Sequence, residues 1–357
     1  MRITANQLTL FRIVLIPIPC AILIMGGQEA KLVAWALYIA IGITDFFDGM
    51  LARKYGSTKL GSLLDPIADK IYIALLFLPM AVTGIAPLWL VIALLIRDPI
   101  VTSLRSLSQI RGLVLKTASF AQYKTAIEMI TGGYMIWVFV VPDKKTTLIA
   151  MFVVFLLCLG WFIAYWIWKK KIHPRLVTLV GMVALALGIR AVLSVETTIL
   201  VYGLVVLLVT WVSAIHYIII VGMNYSSSNA KASIDWIIST FLESVVIFFF
   251  VLILLDIDGL PVWVPIGVIS LELALGAFDN FITSERMIRN RMGTWCKVLL
   301  QLLIIGIILF KVYYPSKIPF FIDYEIWVDG YLLFGITMLY FIFIATKYSR
   351  NLVAKKI

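Results

Sequence analysis

Residues 45–70, DFFDGMLARKYGSTKLGSLLDPIADK, place four aspartates between long apolar runs. Asp45 and Asp48 are three residues apart, and Asp65 and Asp69 are four apart. On a helix, either spacing puts both carboxylates of a pair on one face. The segment between the pairs is short enough to be a turn, which brings the two faces together. The sequence therefore predicts one pocket lined by four carboxylates.

The surrounding chain is too apolar for a water-soluble protein. Of its 357 residues, 62% are hydrophobic and only 14% are charged, and the mean hydropathy is +1.05. A membrane-spanning helix needs about 20 apolar residues. By this criterion of length, both halves of the chain contain predicted spans. We therefore predict an all-α, polytopic membrane protein. The predicted spans are 8–26, 31–52, 62–82, 86–104, 120–141, 146–168, 175–195, 198–222, 233–255, 260–282, 292–312 and 326–346.

The distribution of positive charge predicts the orientation of these spans. With the N-terminus in the cytoplasm, 19 of the 30 Lys and Arg residues fall in cytoplasmic segments and five fall on the opposite side. Because cytoplasmic loops hold the excess of Lys and Arg, we predict a multi-pass protein of the inner (cytoplasmic) membrane. Both termini and the aspartate pocket are then cytoplasmic. The net charge of +11 follows from topology, without nucleic-acid binding, and attraction to anionic lipids is a by-product.

The start of the chain and its cysteines add little chemistry. An apolar run follows Arg2, as in a signal peptide, but Arg12 interrupts it and no small-residue cleavage site follows. We expect a retained first span. The three cysteines lie in separate apolar segments without paired spacing, which predicts neither a disulfide nor a metal framework.

Crowded carboxylates in an apolar chain need a positive partner. One aspartate at the centre of a membrane helix costs about 2.5–3.5 kcal/mol, and neighbouring carboxylates repel one another. Arg53 and Lys70 could offset part of this charge. A hard dication such as Mg²⁺ or Mn²⁺, bound through carboxylate oxygens, offsets it directly. Four carboxylates suffice for two such ions with shared ligands.

Small residues beside the aspartates fit a ligand that carries phosphate. Gly49 and Ala52 leave one helix face bare near the first pair, and Gly61 does the same before the second pair. Arg53 offers a forked donor suited to phosphate oxygens. The alternative, that the aspartates are only interfacial helix caps, accounts for neither the glycines nor the arginine.

These residues resemble a known signature. The pattern Asp45-x2-Asp48-Gly49-x2-Ala52-Arg53-x7-Gly61-x3-Asp65-x3-Asp69 is closely similar to that of the CDP-alcohol phosphotransferases, also called CDP-alcohol phosphatidyltransferases. The family usually has a longer turn between its Arg and the next Gly than the seven residues found here.

The resemblance extends over residues 3–168 and is strongest to bacterial phosphatidylglycerophosphate synthases. The segment NQLTLFR at 6–12 looks like their N-terminal stretch, and RDPIVTSLRS at 97–106, followed by Lys124, looks like their fourth and fifth helices. Asp98 stands where those synthases usually have Glu, which is closer to the cardiolipin synthases of the same superfamily.

The resemblance implies an activity and assigns roles to residues. It implies transfer of a phosphatidyl group from CDP-diacylglycerol to an alcohol, with release of CMP and two divalent ions, Mg²⁺ or Mn²⁺. It also implies a homodimer. Four aspartates would ligate metal, and Asp69 would also accept the proton of the acceptor hydroxyl. The implied metal ligands are Asp45, Asp48, Asp65 and Asp69, and the implied CDP-binding residues are Asn6, Thr9, Gly49, Ala52, Arg53 and Gly61.

The acceptor and the reaction class leave alternatives. The best match implies glycerol 3-phosphate, a phosphoalcohol, as the acceptor, with Arg97, Arg105 and Lys124 binding its phosphate. Each cation could instead serve topology or snorkel to the interface. Cardiolipin synthase or another CDP-alcohol phosphotransferase is the nearest alternative. A metal or lipid transporter also uses carboxylates between spans, but it does not need the glycines and arginine at these spacings.

The basic run KKKIHPR at 169–175 marks the sharpest internal boundary. We predict a CDP-alcohol phosphotransferase membrane domain of six helices over 1–172, followed by a C-terminal transmembrane domain of about six helices over 173–357. The role of the second domain is unknown, and an oligomerisation or lipid-handling module is favoured over a fused phosphatase, because the chain has only two histidines. Ionisable residues within its spans are either functional or fix packing; they are Arg190, His216, Glu243, Glu272 and Asp279.

Overall fold

The regular structure is helical throughout the described chain, as the sequence predicts. A computed structural model describes residues 5–55, 58–110, 124–170, 174–225, 247–285, 291–314 and 325–354. The helices of the first half are α1 (Ala5–Leu15), α2 (Pro17–Met25), α3 (Gln28–Tyr55), α4 (Lys59–Val82), α5 (Leu88–Leu95), α6 (Arg97–Ile110), α7 (Lys124–Val140) and α8 (Lys144–Lys169). Those of the second half are α9 (Pro174–Val192), α10 (Val195–Tyr225), α11 (Ile247–Ile253), α12 (Trp263–Ser284), α13 (Arg291–Tyr313) and α14 (Ile326–Ala354).

Two of the predicted spans are each formed by two consecutive helices. Ile16 separates α1 from α2 just before Pro17, which opens the new helix. Ile96 separates α5 from α6, three residues before Pro99. Proline has no backbone N–H and cannot complete the bond to the carbonyl four residues earlier. The first and fourth predicted spans are therefore each continuous in the chain but broken in their hydrogen-bond ladder.

The protein is a multi-pass membrane protein. Each predicted span coincides with a helix or helix pair, except that most of 233–255 lies outside the described residues. Among the described residues, six segments are long and apolar enough to cross a membrane by length and composition, and the count of twelve spans stays a prediction. The six segments are Ala5–Met25, Lys144–Lys169, Val195–Ile219, Trp263–Ser284, Gly293–Tyr313 and Ile326–Tyr348.

Helix α12 joins the two halves of the chain. It packs along α4 and α6 of the first half and against α14 of the second, and α10 packs on α5, α6 and α7. Buried side chains of α4, such as Leu76 and Phe77, belong to the same apolar cluster as Val268 and Ile269 of α12. Residues of the second half thus form part of the environment of α4, the helix that carries Asp65 and Asp69. The domain boundary near residue 172 stays a prediction.

Ionisable side chains buried in the second half form ion pairs between helices. Glu272 of α12 accepts hydrogen bonds of 2.7 Å from Lys297 and from Gln301 of α13. Lys311 of α13 lies 2.7 Å from Asp329 of α14. These contacts hold α12, α13 and α14 together. They support a packing role for Glu272, the simpler of the two interpretations that the sequence allows.

The other ionisable candidates of the second half differ from one another. Arg190 is buried and donates hydrogen bonds to the carbonyls of Pro142, at 2.9 Å, and Leu193, at 3.1 Å. It therefore fixes the end of α9 against the loop before α8. The side chain of His216 and the whole of Glu243 lie outside the described residues.

Replacing Lys297 by Met should destabilise the bundle, because Glu272 keeps its charge without its nearest cation. Removing one partner of a buried ion pair costs about 3–5 kcal/mol. We expect a large fall in the midpoint of thermal unfolding in detergent, partly recovered when Glu272→Gln is added. Exposed Lys347→Met is the control and should change little. Equal losses in the single and double variants would contradict the pairing.

Candidate active site

Helix α1 directs three polar side chains towards α3 and α4. Asn6, Thr9 and Arg12 recur every three residues, so they lie on one side of the helix. Thr9 and Arg12 are fully buried, and α1 packs against both neighbouring helices. A buried guanidinium is stable only when it is paired. The partners of Thr9 and Arg12 include the carboxylates that the sequence singled out.

Arg12 lies between two of the four aspartates. Its guanidinium donates a hydrogen bond to Asp45 of α3, and its Nη1 is 3.6 Å from Oδ1 of Asp69 on α4. The arginine side chain is completely buried, whereas those of Asp45 and Asp69 remain 40% and 33% exposed. The cation therefore lies on the buried side of the site, and the two carboxylates lie on the side that is open to solvent.

A third aspartate meets the same face of α1. The hydroxyl of Thr9 lies 3.2 Å from Oδ1 of Asp65, and also 3.1 Å from the carbonyl of Ala5 one turn earlier. Asp65 is exposed. Asp45, Asp65 and Asp69 thus converge on one side of α1, as the spacing of the two pairs predicts.

The entry to α4 explains one of the two conspicuous glycines. Thr58 caps the helix, accepting a hydrogen bond of 2.9 Å from the Gly61 amide and donating one of 3.0 Å to Asn6 Oδ1. A Cβ on Gly61 would lie only 2.9 Å from that Asn6 oxygen. A side chain at position 61 would therefore displace the Asn6 amide from its hydrogen bond with Thr58. The CDP-binding role of Asn6 and Gly61 stays a prediction.

Several predicted site residues lie where only the backbone is described. Helix α3 is continuous through residue 55, and the side chains of 46–55 are outside the described part of the structure. Asp48 follows Asp45 by three residues, so the helix carries both on one side. Gly49, Ala52 and Arg53 are known only as positions along the same helix.

The donor set of the site fits a hard dication. Carboxylate oxygens are the ligands that Mg²⁺ and Mn²⁺ prefer, and three carboxylates against one guanidinium leave a net negative charge. Within the described residues, no three acidic, His or Cys side chains are close enough to hold an ion together. Arg12 supplies positive charge between Asp45 and Asp69. By residue type, Asp45, Asp65 and Asp69, with Asp48 one turn along α3, remain the candidate metal ligands, and this assignment stays a prediction.

A second buried cluster contains two of the predicted phosphate-binding cations. Asp98 Oδ1 accepts hydrogen bonds from Arg97 Nη1 at 2.8 Å and from Lys124 Nζ at 2.6 Å. Lys124 also lies 3.2 Å from Glu128. All four side chains are buried, which is the expected state for ionisable groups inside a span. Arg97 and Lys124 are therefore already paired.

Helix α10 of the second half completes the surroundings of these cations. Arg97 donates to the Thr210 carbonyl at 3.2 Å and to the Ser213 hydroxyl at 2.7 Å. Arg105 donates to the Tyr217 hydroxyl at 3.2 Å, and its guanidinium carbon is 5.4 Å from the centre of that ring. Arg105 is only half-buried, unlike Arg97. No pattern in the sequence singles out Ser213 or Tyr217, because serine and tyrosine are common in apolar helices.

Lys70 links the aspartate site to α6 rather than neutralising the aspartates. Its ammonium donates a hydrogen bond of 2.8 Å to Thr102, although the sequence suggested that it offsets the carboxylates. Arg105 follows Thr102 by three residues, about 5 Å along the helix axis. A cavity of about 10 Å³, with Lys70, Thr102 and Asp279 of α12 in its lining, has about enough room for one water. The hydrogen bond between Lys70 and Thr102 thus connects α4, next to Asp69, with α6 about one turn before Arg105.

Known proteins match the half that carries this geometry. The family model described as CDP-alcohol phosphatidyltransferase matches residues 2–168. A Wigglesworthia glossinidia brevipalpis protein named CDP-diacylglycerol--glycerol-3-phosphate 3-phosphatidyltransferase is 32% identical over 136 residues, which cover 36% of this chain and 74% of that protein. The chain belongs to the CDP-alcohol phosphatidyltransferase family.

Two further relatives match a similar length of this chain. A Mycobacterium tuberculosis protein named probable phosphatidylglycerophosphate synthase is 38% identical over 136 residues, covering 37% of this chain and 65% of that protein. A Salmonella choleraesuis CDP-diacylglycerol--glycerol-3-phosphate 3-phosphatidyltransferase is 32% identical over 140 residues, covering 36% and 74%. The match thus spans just under two thirds of the M. tuberculosis protein. The family match ends at residue 168, which is also the end of the resemblance predicted from the motifs.

Replacing Arg12 by Met should make stability depend on divalent ions. The change removes the buried cation and leaves Asp45 and Asp69 without it, so we expect the free energy of unfolding without metal to fall by about 1–3 kcal/mol. Added Mg²⁺ should then raise the thermal midpoint more in the variant than in the wild type. Unfolding in detergent with EDTA or with Mg²⁺ measures both effects.

Arg190→Met is the matched control for this experiment. It also removes a buried arginine, but one bonded only to backbone carbonyls in the described contacts. It should lose stability without gaining sensitivity to Mg²⁺. If Mg²⁺ raised the midpoints of the Arg12 variant and the wild type equally, Arg12 would not be the counter-charge of the aspartates.

Proposed function

We propose that the protein transfers a phosphatidyl group from CDP-diacylglycerol to an alcohol and releases CMP, with glycerol 3-phosphate as the acceptor and phosphatidylglycerophosphate as the product. The observation that carries the proposal is the convergence of Asp45, Asp65 and Asp69 around the buried Thr9–Arg12 face of α1. Family membership and the names of the relatives support the same reaction. The site lies in the matched half of the chain.

The proposed reaction is a displacement at phosphorus. The acceptor hydroxyl oxygen attacks the phosphorus that bears diacylglycerol, and the bond from that phosphorus to the oxygen of CMP breaks. CMP leaves with the electron pair, and Asp69 accepts the hydroxyl proton. Two bound ions, Mg²⁺ or Mn²⁺, supply charge neutralisation at the diphosphate. Asp45, Asp48, Asp65 and Asp69 hold these ions in this proposal.

Nucleotide contacts come from the neighbouring positions. We assign the CDP moiety to the end of the site where α1 meets the start of α4, near Asn6, Thr9 and Gly61. The shared contacts of these residues with Thr58 and Asp65 support a preorganised surface there. The positions of Gly49, Ala52 and Arg53 on α3 complete the assignment, which rests on the family pattern.

Arg105 is the best of the three cations for direct contact with an acceptor phosphate. It is half-buried and held by Tyr217, so its guanidinium is oriented and partly open. Arg97 and Lys124 are buried and bonded to Asp98. In the proposed function they shape the acceptor site through that cluster and add positive potential, since a buried charge still acts across low dielectric.

The proposed location is the inner membrane, with the site and both termini on the cytoplasmic side. The excess of Lys and Arg in alternate loops supports this orientation. A nucleotide-linked lipid also suits a site at the membrane surface, because its head is polar and its chains are apolar. The homodimer implied by the family resemblance is proposed on that ground alone.

A CMP-release assay tests the function and separates the alternatives. The purified protein is given CDP-diacylglycerol, Mg²⁺ or Mn²⁺, and glycerol 3-phosphate, phosphatidylglycerol or other alcohols. We expect release to require glycerol 3-phosphate. If phosphatidylglycerol were the only acceptor that supports CMP release, the protein would be a cardiolipin synthase. The Arg97–Asp98 pair is the sequence feature that favours this alternative. Absence of CMP with every acceptor would overturn the proposal and favour a transporter.

Asp69→Asn should lower the rate of CMP release by about 10²–10⁴-fold, the usual contribution of a general base. The amide keeps the shape of the side chain and removes the proton acceptor, and Asp45 still pairs with Arg12, so the fold should survive. Asp258→Asn, an exposed position outside the site, is the control and should retain full activity. A variant at Asp69 with near wild-type turnover at all pH values would exclude it as the base.

A further inference from the structure

A large apolar groove lies beside the aspartate site and is built by both halves of the chain. It has a volume of about 900 Å³, at the upper end of the range typical of ligand pockets. Helices α1, α2 and α4 form one wall, and α12 and α14 form the other. We call this cavity the α4–α12 groove. Residues that line it include Ile13, Ile71, Ser270, Phe334, Met338 and Ala345.

The α4–α12 groove is continuous with the aspartate site. Leu10 lines the groove and directly follows Thr9, which contacts Asp65. Leu64 lines it and directly precedes Asp65 on α4. Neighbouring residues on a helix point about 100° apart, since a turn holds about 3.6 residues. The polar and apolar faces of α1 and α4 therefore adjoin at one end of the bundle.

The depth of the groove matches one leaflet of a bilayer. Along α4 it runs from Leu64 to Leu75, and these eleven steps cover about 17 Å at the helical rise. Half of a hydrocarbon core is about 15 Å. A chain that starts at the aspartate site and follows the groove thus reaches about the middle of the membrane.

The wall from α12 and α14 has a defined direction. Gly276 of α12 lies against Lys70, so the C-terminal part of α12 is beside the polar end of α4. Phe341 of α14 packs on Phe278 near that end, with ring centres 5.5 Å apart. Farther along, Phe334 packs on Trp263 at 5.4 Å.

Met338 lies on α14 between the two phenylalanines that make these contacts. It is therefore deeper in the groove than Ala345, which lies beyond Phe341 on the side of the polar end.

We propose that the α4–α12 groove binds the acyl chains of the CDP-linked lipid, so that the second half of the chain sets the acyl-chain preference. The inference rests on the proposed function, because the nucleotide head held at the aspartates fixes where the chains begin. A diacyl chain pair is apolar, as the groove is, and has its polar head at one end, as the groove has the aspartate site.

A second apolar cavity offers a competing position for the chains. It has a volume of about 150 Å³ and lies on the other side of α1, lined by Phe11, Leu15, Ala40 and Ile41 of the first half. It is about six times smaller than the α4–α12 groove. The larger volume favours the groove that includes α12 and α14.

The test compares two chain lengths in the CMP-release assay. CDP-dioctanoylglycerol and CDP-dioleoylglycerol are given to wild type and to Met338→Trp, which fills the deep part of the groove. We expect the ratio of kcat/KM, long over short, to fall about tenfold or more, in the range by which an apolar pocket discriminates. Leu339→Trp is the matched control, since this adjacent residue is 68% exposed. It should leave the ratio within about twofold of wild type.

Other outcomes would overturn the inference. An unchanged ratio in Met338→Trp, or an equal loss for both lipids, would exclude the deep groove as the chain site. A selective loss for the long lipid in Ala40→Trp instead would assign the chains to the smaller cavity. Failure of the wild type to release CMP from either lipid would be a failure of the proposed function, and it is visible before any variant is compared.

Photo-crosslinking reports on the groove without turnover. CDP-diacylglycerol with a diazirine at the end of one chain should label peptides of α12 and α14, and unlabelled CDP-diacylglycerol should compete. Phosphatidylcholine at the same concentration should not compete. Labelling of α3 alone, or labelling that both lipids reduce equally, would show that the groove holds no specific chain and would overturn the inference.

Discussion

The buried charge of Arg12 is the constraint on which the candidate site depends. A guanidinium with no exposed surface is tolerable in an apolar bundle only when anions reach it, and here the anions come from two other helices, through Asp45 and Asp69. The pairing fixes the position of α1 relative to α3 and α4. Because the carboxylates are each part-exposed while the cation is not, the site keeps oxygen atoms at its opening. Because of this difference in exposure, the same ion-paired cluster can hold three helices together and still be a candidate metal centre.

The same rule organises the rest of the membrane-embedded polar groups. Asp98 forms ion pairs with Arg97 and Lys124, and Glu272 forms one with Lys297. In low dielectric an unpaired charge is costly, and the loss of one partner costs more than the pair contributes. Each cluster therefore fixes a helix contact: α6 to α7 in the first case, α12 to α13 in the second. The bonds from Arg97 to α10 extend this rule across the two halves of the chain.

Much of the fold and part of the site could be predicted from the sequence. The helices follow from long apolar runs, and the convergence of three aspartates follows from helical spacing within one short stretch, which is local information. The partners of Arg12 and Lys70 could not be read locally, because they depend on which helices meet. The three-residue spacing of Asn6, Thr9 and Arg12 predicts one polar side of a helix, but it does not show which residues that side contacts.

The cations near the acceptor illustrate a different limit. Arg97 and Lys124 were predicted to bind phosphate, and the structure gives both a carboxylate partner in Asp98. Residue type shows that a buried cation needs an anionic partner. It does not show whether that partner is the phosphate of a bound ligand or a carboxylate of the protein. That distinction needs burial and distance, which also separate half-buried Arg105 from Arg97. The role of each in binding phosphate stays a prediction.

Helix α4 connects the polar and apolar chemistry of the molecule. One face presents Asp65 and Asp69 to α1, and the adjacent face, through Ile67 and Ile71, lines the groove shared with α12. A helix is stiff over this length, so any displacement of α4 that followed from its packing on α12 would move both faces together. The register of the aspartates is therefore coupled to packing by the second half of the chain. This coupling gives the second half an influence on the site even though the described contacts of the three aspartates come from α1.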